Sequence, residues 1–382
     1  MAMDKRSTEL RKEPTGKATT TGKVHVRRSG KIRKVDLCPF TQRLAAMLDA
    51  GLPLVQCMEA LSEQTETPEF KAVVRDLGLR IEAGESFAEA LAHYTDLFGE
   101  LYVSMIRSGE MGGGLAEVAA RLAGYLEASQ AMARKIKSSM TYPVVVLCMA
   151  FILTTAMIMF IVPVFKNIFA DFGAADKLPL PTQMLIALSD AVRAYSLIIL
   201  PVLLAAIWLV VKWLHTKNGK YLFDRHVLRA PIAGQIIERV AIGRMSRTFA
   251  SMLRSGVPIL HCMEIVSQAT GNQYLGRMLI SAQHKVESGL PLAKSIQEGG
   301  AELHYKFPPM LIYMLAAGEK TGNVDGMLEK VADFYEAEVR ASLEQLTSMI
   351  EPLLMAILGI VIGSIVISMF MPIFKMTEIV GG

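Results

Sequence analysis

A glycine-rich turn has the residue types that could bind an anion. The stretch GEMGGGL runs from Gly109 to Leu115 and leads into a predicted helix. Backbone N–H groups in such a turn can bind phosphate, but a nucleotide-binding loop needs Lys and then Ser or Thr directly after its last glycine. Leu115 and Ala116 stand there instead. Because the preceding residues have helical periodicity, the turn is interpreted as a junction between two helices.

The Gly-Glu pair of this turn occurs a second time in the sequence. Gly109 and Gly318 are each predicted to end a helix in a left-handed conformation. Glu110 and Glu319 are expected just ahead of the following helix, where a carboxylate can accept hydrogen bonds from its free N–H groups. Two roles remain open for these glutamates: a helix cap alone, or also a polar surface read by a partner or by the sister copy.

Catalytic patterns do not emerge from the sequence. The apolar segments 144–162 and 353–371 contain hydroxyl groups and one thiol, but no His, Asp, Glu or Lys that could serve as a base or an ion pathway. The seven histidines form no His-Glu-x-x-His pattern. No catalytic residue, cofactor or enzymatic activity is therefore predicted, and a transporter component is a minor alternative.

The chain contains two copies of one unit. MLDAGLPLVQCMEALS (Met47 to Ser62) and MLRSGVPILHCMEIVS (Met252 to Ser267) share eight of sixteen residues at an offset of 205. After a four-residue insertion the offset becomes 209, and it relates both Gly-Glu pairs and the prolines of the apolar segments. The repeat therefore includes each apolar segment. The paired turn and span residues are Gly51 and Gly256, Pro53 and Pro258, Pro143 and Pro352, and Pro163 and Pro372.

Hydrophobic residues make up 52% of the 382 residues, which indicates a membrane protein. Segments 144–162 and 353–371 are uncharged and long enough to cross a bilayer, and a third apolar segment covers about 195–214. Lys and Arg cluster before the first segment and after the second, which predicts that both repeats face the cytoplasm. We expect no cleavable signal peptide and no disulfide among the four cysteines.

The fold is predicted to be all-α, with duplicated cytoplasmic six-helix bundles linked to three transmembrane helices. In the first bundle, helices are predicted over 40–50, 54–64, 68–83, 86–93, 98–108 and 115–137, and Gly or Pro stands at most of the breaks. The last helix has no breaker before the membrane segment. The predicted domains are a basic flexible leader (1–36), the first helical domain (37–139), the first transmembrane helix (140–166), an external loop (167–193), the second transmembrane helix (194–214), the second helical domain (215–348), the third transmembrane helix (349–374) and an external tail (375–382).

The leader contains eleven Lys or Arg and four Asp or Glu, a net charge of about +7, whereas the remaining 346 residues sum to about −3. It has no aromatic residue for stacking on bases, and contact with anionic lipid or a flexible solvated tail is favoured over a nucleic-acid arm. We expect no direct nucleic-acid binding.

These ordered, duplicated motifs resemble the type II secretion system F family. The resemblance covers about 36–374 and implies an inner-membrane platform protein of a type IV pilus or type II secretion machine. It implies contacts with a hexameric assembly ATPase, with pilins or pseudopilins and with other inner-membrane machine components, and homo-oligomerisation. A membrane-anchored scaffold or receptor-like protein is the alternative.

In some members of that family, acidic residues near the Gly-Glu pair hold a divalent cation. Asp325, with Glu329 one turn further on, has the matching position in the second copy, whereas the first copy has Ala116 and Ala120. A solvated or capping role for Asp325 is favoured over a metal site.

Overall fold

The computed structural model describes residues 36–171 and 179–380, and every regular element in them is helical. Residues 1–35 of the predicted leader, 172–178 of the predicted external loop and 381–382 of the predicted tail lie outside the described residues. The helices are α1 (Leu37–Asp49), α2 (Leu54–Gln64), α3 (Pro68–Glu82), α4 (Phe87–Ala92), α5 (Thr95–Phe98), α6 (Glu100–Met111), α7 (Leu115–Ala156), α8 (Val162–Asp171), α9 (Leu180–Leu214), α10 (Lys217–Val227), α11 (Ala233–Arg254), α12 (Ile259–Ala269), α13 (Gln273–Glu287), α14 (Leu292–Glu302), α15 (Pro309–Thr321) and α16 (Val324–Val380).

The two copies have the same backbone turns at equivalent positions. The glycines that end α1 and α11, Gly51 and Gly256, have φ angles of 78° and 79°. The pair Gly84 and Gly289 after α3 and α13 has φ angles of 97° and 93°. Positive φ is accessible to glycine without the Cβ clash that other residues suffer, so the glycine spacing sets the turns of both repeats.

In the first repeat the six predicted helices all occur, within a few residues of their expected ends except the last, and one more is present. The short helix α5 precedes Gly99, whose φ of 85° then redirects the chain into α6. Its Phe98 belongs to an aromatic cluster, with ring centroids 6.1 Å from Phe40 and 5.0 Å from Tyr102. Burial of that cluster explains why the chain forms a helical turn where the sequence suggested only a connection.

Two very long helices leave the repeats. The last helix of the first repeat, α7, runs through Pro143, and the helical path continues through one π-helical turn (Met157–Ile161) into α8. In the second repeat α16 is 57 residues long, about 85 Å at 1.5 Å per residue. Both are long and apolar enough to cross a membrane, over Leu115–Ile168 and Val324–Met371. Pro143 and Pro352 therefore lie inside continuous helices rather than at helix ends.

The segment predicted as an external loop is helical at both of its described ends. The first end is α8, and the second is the beginning of α9, which already starts at Leu180 and reaches Leu214. A shorter apolar stretch, Leu204–Leu214, lies within α9, and the crossing predicted there stays a prediction.

Helices α7 and α16 lie side by side near the membrane segments. Lys135 of α7 forms an ion pair with Glu344 of α16, with 2.8 Å between Nζ and Oε1. These two residues occupy equivalent positions in the repeats, 209 residues apart. Further along, the Phe165 ring of α8 lies 6.4 Å from the Phe370 ring of α16. Because the contacting residues advance along both chains together, the helical path of α7 and α8 runs in the same direction as α16.

Candidate functional site

The prediction that Gly109 and Gly318 are left-handed helix ends is wrong. Helices α6 and α15 continue through them, and the left-handed residues are Gly113 and Gly322, with φ angles of 71° and 72°. Gly109 and Gly318 serve a different need, which is the close approach of the next helix. A Cβ on Gly109 would lie 3.0 Å from the Val118 Cβ.

The same crowding is greater in the second repeat. A Cβ on Gly318 would lie 2.8 Å from the Val324 Cα, which belongs to the backbone and cannot rotate away. Each of the two turns also contains the same backbone hydrogen bond. Gly114 N donates to Gly109 O in the first repeat, and Asn323 N donates to Gly318 O in the second, each at 2.9 Å. The glycine therefore places the first turn of each long helix directly against the preceding helix.

The two glutamates cap a helix, but not the helix that follows them in sequence. Phe87 N and Ala88 N, at the start of α4, donate to the two carboxylate oxygens of Glu110 at 2.6 and 2.8 Å. A carboxylate at a helix N-terminus satisfies free N–H groups and interacts favourably with the helix dipole.

Glu319 makes the equivalent contacts in the second repeat. Leu292 N donates to Oε1, and Ala293 N donates to Oε2 at 3.0 Å. Each glutamate thus ties the end of α6 or α15, the helix just before a long helix, to α4 or α14, more than twenty residues earlier in the chain.

A second pair of equivalent turns follows α1 and α11. Pro53 and Pro258 occupy the N-cap positions of α2 and α12, and each comes two residues after the left-handed glycine of its turn. The buried thiols of Cys57 and Cys262 donate to backbone oxygens of these turns, at 3.6 Å to Leu52 O and 3.3 Å to Val257 O. Burial raises the pKa of Cys262 to about 12, so this thiol stays protonated at neutral pH.

In the second repeat, arginines of α11 face acidic residues of α16. Arg254 Nε lies 3.1 Å from Asp325 Oδ2, and its Nη2 donates to Glu329. The hydrogen bonds that Arg254 donates to Glu329 and Asp325 raise the pKa of Arg254. Asp325 and Glu329 do share a helix face, and this face binds a guanidinium. Among the described residues, no three His, Cys, Asp or Glu side chains are grouped closely enough to hold a metal ion.

Arg247, two turns before Arg254, is the more buried arginine of this contact. It lies 3.0 Å from Glu336 and also pairs with Asp333. The equivalent residues of the first repeat are Gln42 and Glu127, which form a hydrogen bond of 3.2 Å. The contact has therefore kept its position in both repeats, but it is ionic in the second.

The repeats contact each other through different surfaces. The contributing residues of the first repeat lie on α6 and α7, and those of the second lie around the end of α11 and the start of α12. Ser108 Oγ donates to Ser255 O at 2.5 Å. The other contacts are Ser104 with His261 (3.1 Å), Tyr125 with Thr248 (3.1 Å) and Arg121 with the Arg254 carbonyl oxygen.

Residues of α9 bind backbone oxygens that two prolines leave without a helical donor. A proline lacks the N–H that would bind the oxygen four residues earlier. For Pro163 that oxygen belongs to Met159, and the Arg193 guanidinium donates to it, with Nε at 3.0 Å. For Pro372 the oxygen belongs to Ser368, and the Thr182 hydroxyl donates to it.

Ser189 completes this contact by donating to the Ile158 oxygen at 2.6 Å. The π-helical turn at Met157–Ile161 contains Met159, whose oxygen Pro163 leaves without its usual donor. The duplicated proline could have been used to predict freed oxygens at 159 and 368, but not which side chains would bind them.

Comparison with known proteins decides the family. The model of the family "Type II secretion system (T2SS), protein F" matches residues 40–163 and 245–372. The matched segments begin 205 residues apart and end 209 residues apart, as the two repeats do. The chain belongs to the type II secretion system protein F family.

Curated relatives of this F family align over most of their length. A type IV pilus assembly protein PilC from Myxococcus xanthus is 36% identical over 94% of this chain and 85% of its own. A PilC from Thermus thermophilus is 40% identical over 89% of this chain and 82% of its own. A type II secretion system protein F from Vibrio cholerae is 31% identical over 90% of this chain and 83% of its own.

Proposed function

We propose that this chain is the inner-membrane platform protein of a type IV pilus or type II secretion machine, with both repeats in the cytoplasm. In this role it couples a hexameric assembly ATPase to the extraction of pilins or pseudopilins from the membrane. Family membership and the names of the relatives support the machine. No catalytic activity of its own is part of the proposal.

The observation that carries the coupling role is the continuity of α7 and α16. Each begins directly after the turn that follows a Gly-Glu pair and continues as one helix, through Pro143 or Pro352, into an apolar segment. A helix resists bending because its backbone hydrogen bonds connect every turn to the next. A displacement of either repeat is therefore passed to the membrane segment rather than absorbed in a hinge.

The glutamate caps strengthen this connection at its cytoplasmic end. Glu110 and Glu319 fix the ends of α6 and α15 to α4 and α14, and the adjacent Gly109 and Gly318 let α7 and α16 pack closely against these same ends, so the repeat and its long helix move as one body. Partner contact by the same glutamates remains part of the proposal, since each has a partly exposed side chain.

A proline placed in α7 between the repeat and the membrane segment tests the coupling. Ser138 is exposed, and its hydroxyl bonds only within its own helix, to Lys135 O. We expect the Ser138→Pro variant to insert at wild-type levels and to abolish surface fibres or secretion, because a second proline five residues before the native Pro143 removes a further backbone hydrogen bond and adds a kink on the cytoplasmic side of it. The Ser138→Ala variant is the matched control and should function normally. Normal assembly by the proline variant would contradict the proposal.

A second test concerns the energy source. Since neither Gly-Glu turn has the Lys-Ser or Lys-Thr of a phosphate loop, the purified chain should hydrolyse no ATP alone. It should raise the turnover of the cognate assembly ATPase in a reconstituted mixture. Stoichiometric ATP binding by the isolated chain, or no effect on the ATPase, would argue for a scaffold without a coupling role.

A further inference from the structure

The contact between the repeats leaves two surfaces unmatched. We define surface X as the α6–α7 face of repeat one and its equivalent on α15–α16, and surface Y as the α11–α12 turn region of repeat two and its equivalent on α1–α2. Within the chain, surface X of repeat one binds surface Y of repeat two. Surface X of repeat two and surface Y of repeat one are left over.

The left-over surface Y is more exposed than its equivalent inside the chain. Leu52 is 43% exposed, whereas the equivalent Val257 is 4% exposed. Ala50 and Arg43 are exposed, whereas the equivalent Ser255 and Thr248 are buried.

The left-over surface X also has large exposed side chains at the positions equivalent to the contact within the chain. Tyr313, equivalent to Ser104, is 78% exposed, and Phe334, equivalent to Tyr125, is 43% exposed. Large exposed aromatic side chains on one face favour a protein partner over bulk water.

The two left-over surfaces are complementary to each other. Superposing them in the way the repeats already meet puts Lys330, equivalent to Arg121, next to Asp49, equivalent to Arg254. It also puts Phe334 next to Arg43, a pairing that permits a cation–π contact. In the part of the chain that the structure describes, neither Lys330 nor Asp49 forms an ion pair.

We propose that surface X of repeat two binds surface Y of repeat one of a second copy of this chain. The contact between repeats is then used twice, once within each chain and once between chains. Contacts between unlike surfaces build rings when the rotation closes. The inference does not rest on the proposed function, because it involves no ATPase or pilin.

Cross-linking between two tagged chains tests this arrangement. Two differently tagged full-length chains, one with Asp49→Cys and one with Lys330→Cys, are coexpressed with the exposed Cys148 replaced by Ala, and membranes are treated with a short bis-maleimide. We expect a product carrying both tags, severalfold more abundant than with the control pair Asp49→Cys and Lys294→Cys, because Lys294 is exposed on another helix. Equal yields for both pairs, or a better yield between two Asp49→Cys chains, would overturn the proposal.

Charge reversal provides a second measurement on the same pair. Asp49→Lys should weaken association in detergent by roughly fivefold, since exposed ion pairs contribute up to about 1 kcal/mol. Adding Lys330→Glu to the same chain restores opposite charges and should restore association. Both residues are exposed, so membrane insertion should be unchanged. An unaltered association constant in the Asp49→Lys chain would exclude this interface.

Discussion

At the scale of single residues, the Gly-Glu pair has two structural functions: the glycine permits close packing of the next helix, and the glutamate caps an earlier helix. Gly318 lets α16 approach α15, while Glu319 reaches the start of α14 from the next position. The arrangement recurs in repeat one with Gly109, Glu110 and α4. Because both oxygens of each carboxylate are bound within the chain, the first consequence of losing one is structural.

The charge of the capping glutamate can be tested by an isosteric change. Glu319→Gln keeps one acceptor oxygen but loses one hydrogen bond and the interaction with the helix dipole. We expect a loss of about 1–2 kcal/mol in the free energy of unfolding, measured by denaturation in detergent. Glu287→Gln, on the exposed end of α13, is the control and should be near neutral. If Glu319→Gln is stable but blocks pilus or pseudopilus assembly, the glutamate also contacts a partner.

The crowding at the glycine predicts an order among three alanine variants. Gly318→Ala should be the most destabilising, because its Cβ meets backbone atoms at 2.8 Å. Gly109→Ala meets a side chain at 3.0 Å and should cost less. Gly322→Ala has open space and should cost only the left-handed strain, about 1 kcal/mol. A larger loss at Gly322 than at Gly318, by thermal melting, would contradict this account.

At the scale of helices, local signals located most helices of the first repeat, but they missed α5 and the helical ends of the predicted external loop. Hydrophobic periodicity and the glycines placed α1, α2, α3, α4 and α6 to within a few residues. The same signals could not place Gly109 correctly, because a glycine inside a helix and a glycine ending it look alike in sequence. They also could not show that Glu110 caps α4, because this pairing depends on how α6 and α4 pack. Tertiary contacts decided both.

The contacts of α9 with the two long helices give a prediction at this scale. Thr182 and Ser189 donate to the oxygens of Ser368 and Ile158, which lie at or near the proline-freed positions. Thr182→Val and Ser189→Ala should each lower thermal stability, by about 1–3 kcal/mol if the oxygen is left without a donor. Ser364→Ala is the matched control, because Ser364 bonds only to Val361 O of its own helix. Equal stability of all three variants would mean that α9 does not hold the long helices.

At the scale of the whole molecule, the two repeats differ in how their equivalent helices are joined. The contact between α11 and α16 contains arginine ion pairs, whereas that between α1 and α7 has the neutral Gln42. Arg247→Gln should destabilise repeat two by about 1–3 kcal/mol, because the largely buried carboxylate of Glu336 loses its 3.0 Å ion pair and keeps only a 3.9 Å contact with Arg340. Arg254→Gln should lower the free energy of unfolding by less, because Arg254 is more exposed to solvent. Limited proteolysis should show faster cleavage of repeat two in the Arg247→Gln variant. Equal cleavage of the two repeats would contradict the predicted loss of stability in repeat two.

The position of the repeats also constrains how the chain crosses the membrane. The repeats are in contact with each other, so both lie on the same side of any membrane that the long helices cross, and α7 and α16 leave the repeats in the same direction. If α7 crosses the membrane, as we propose, the chain must return before it enters repeat two. Of the described helices between them, α9 is the one long enough to do so, at 35 residues or about 52 Å. Lys and Arg on both flanks favour the cytoplasm for the repeats.

A reporter inserted at position 176 should therefore be active only outside the cytoplasm, and reporters at 137 and 217 only inside it. Cytoplasmic activity at 176 would exclude the three-crossing arrangement, because the two long helices could then not both span the membrane from the same side.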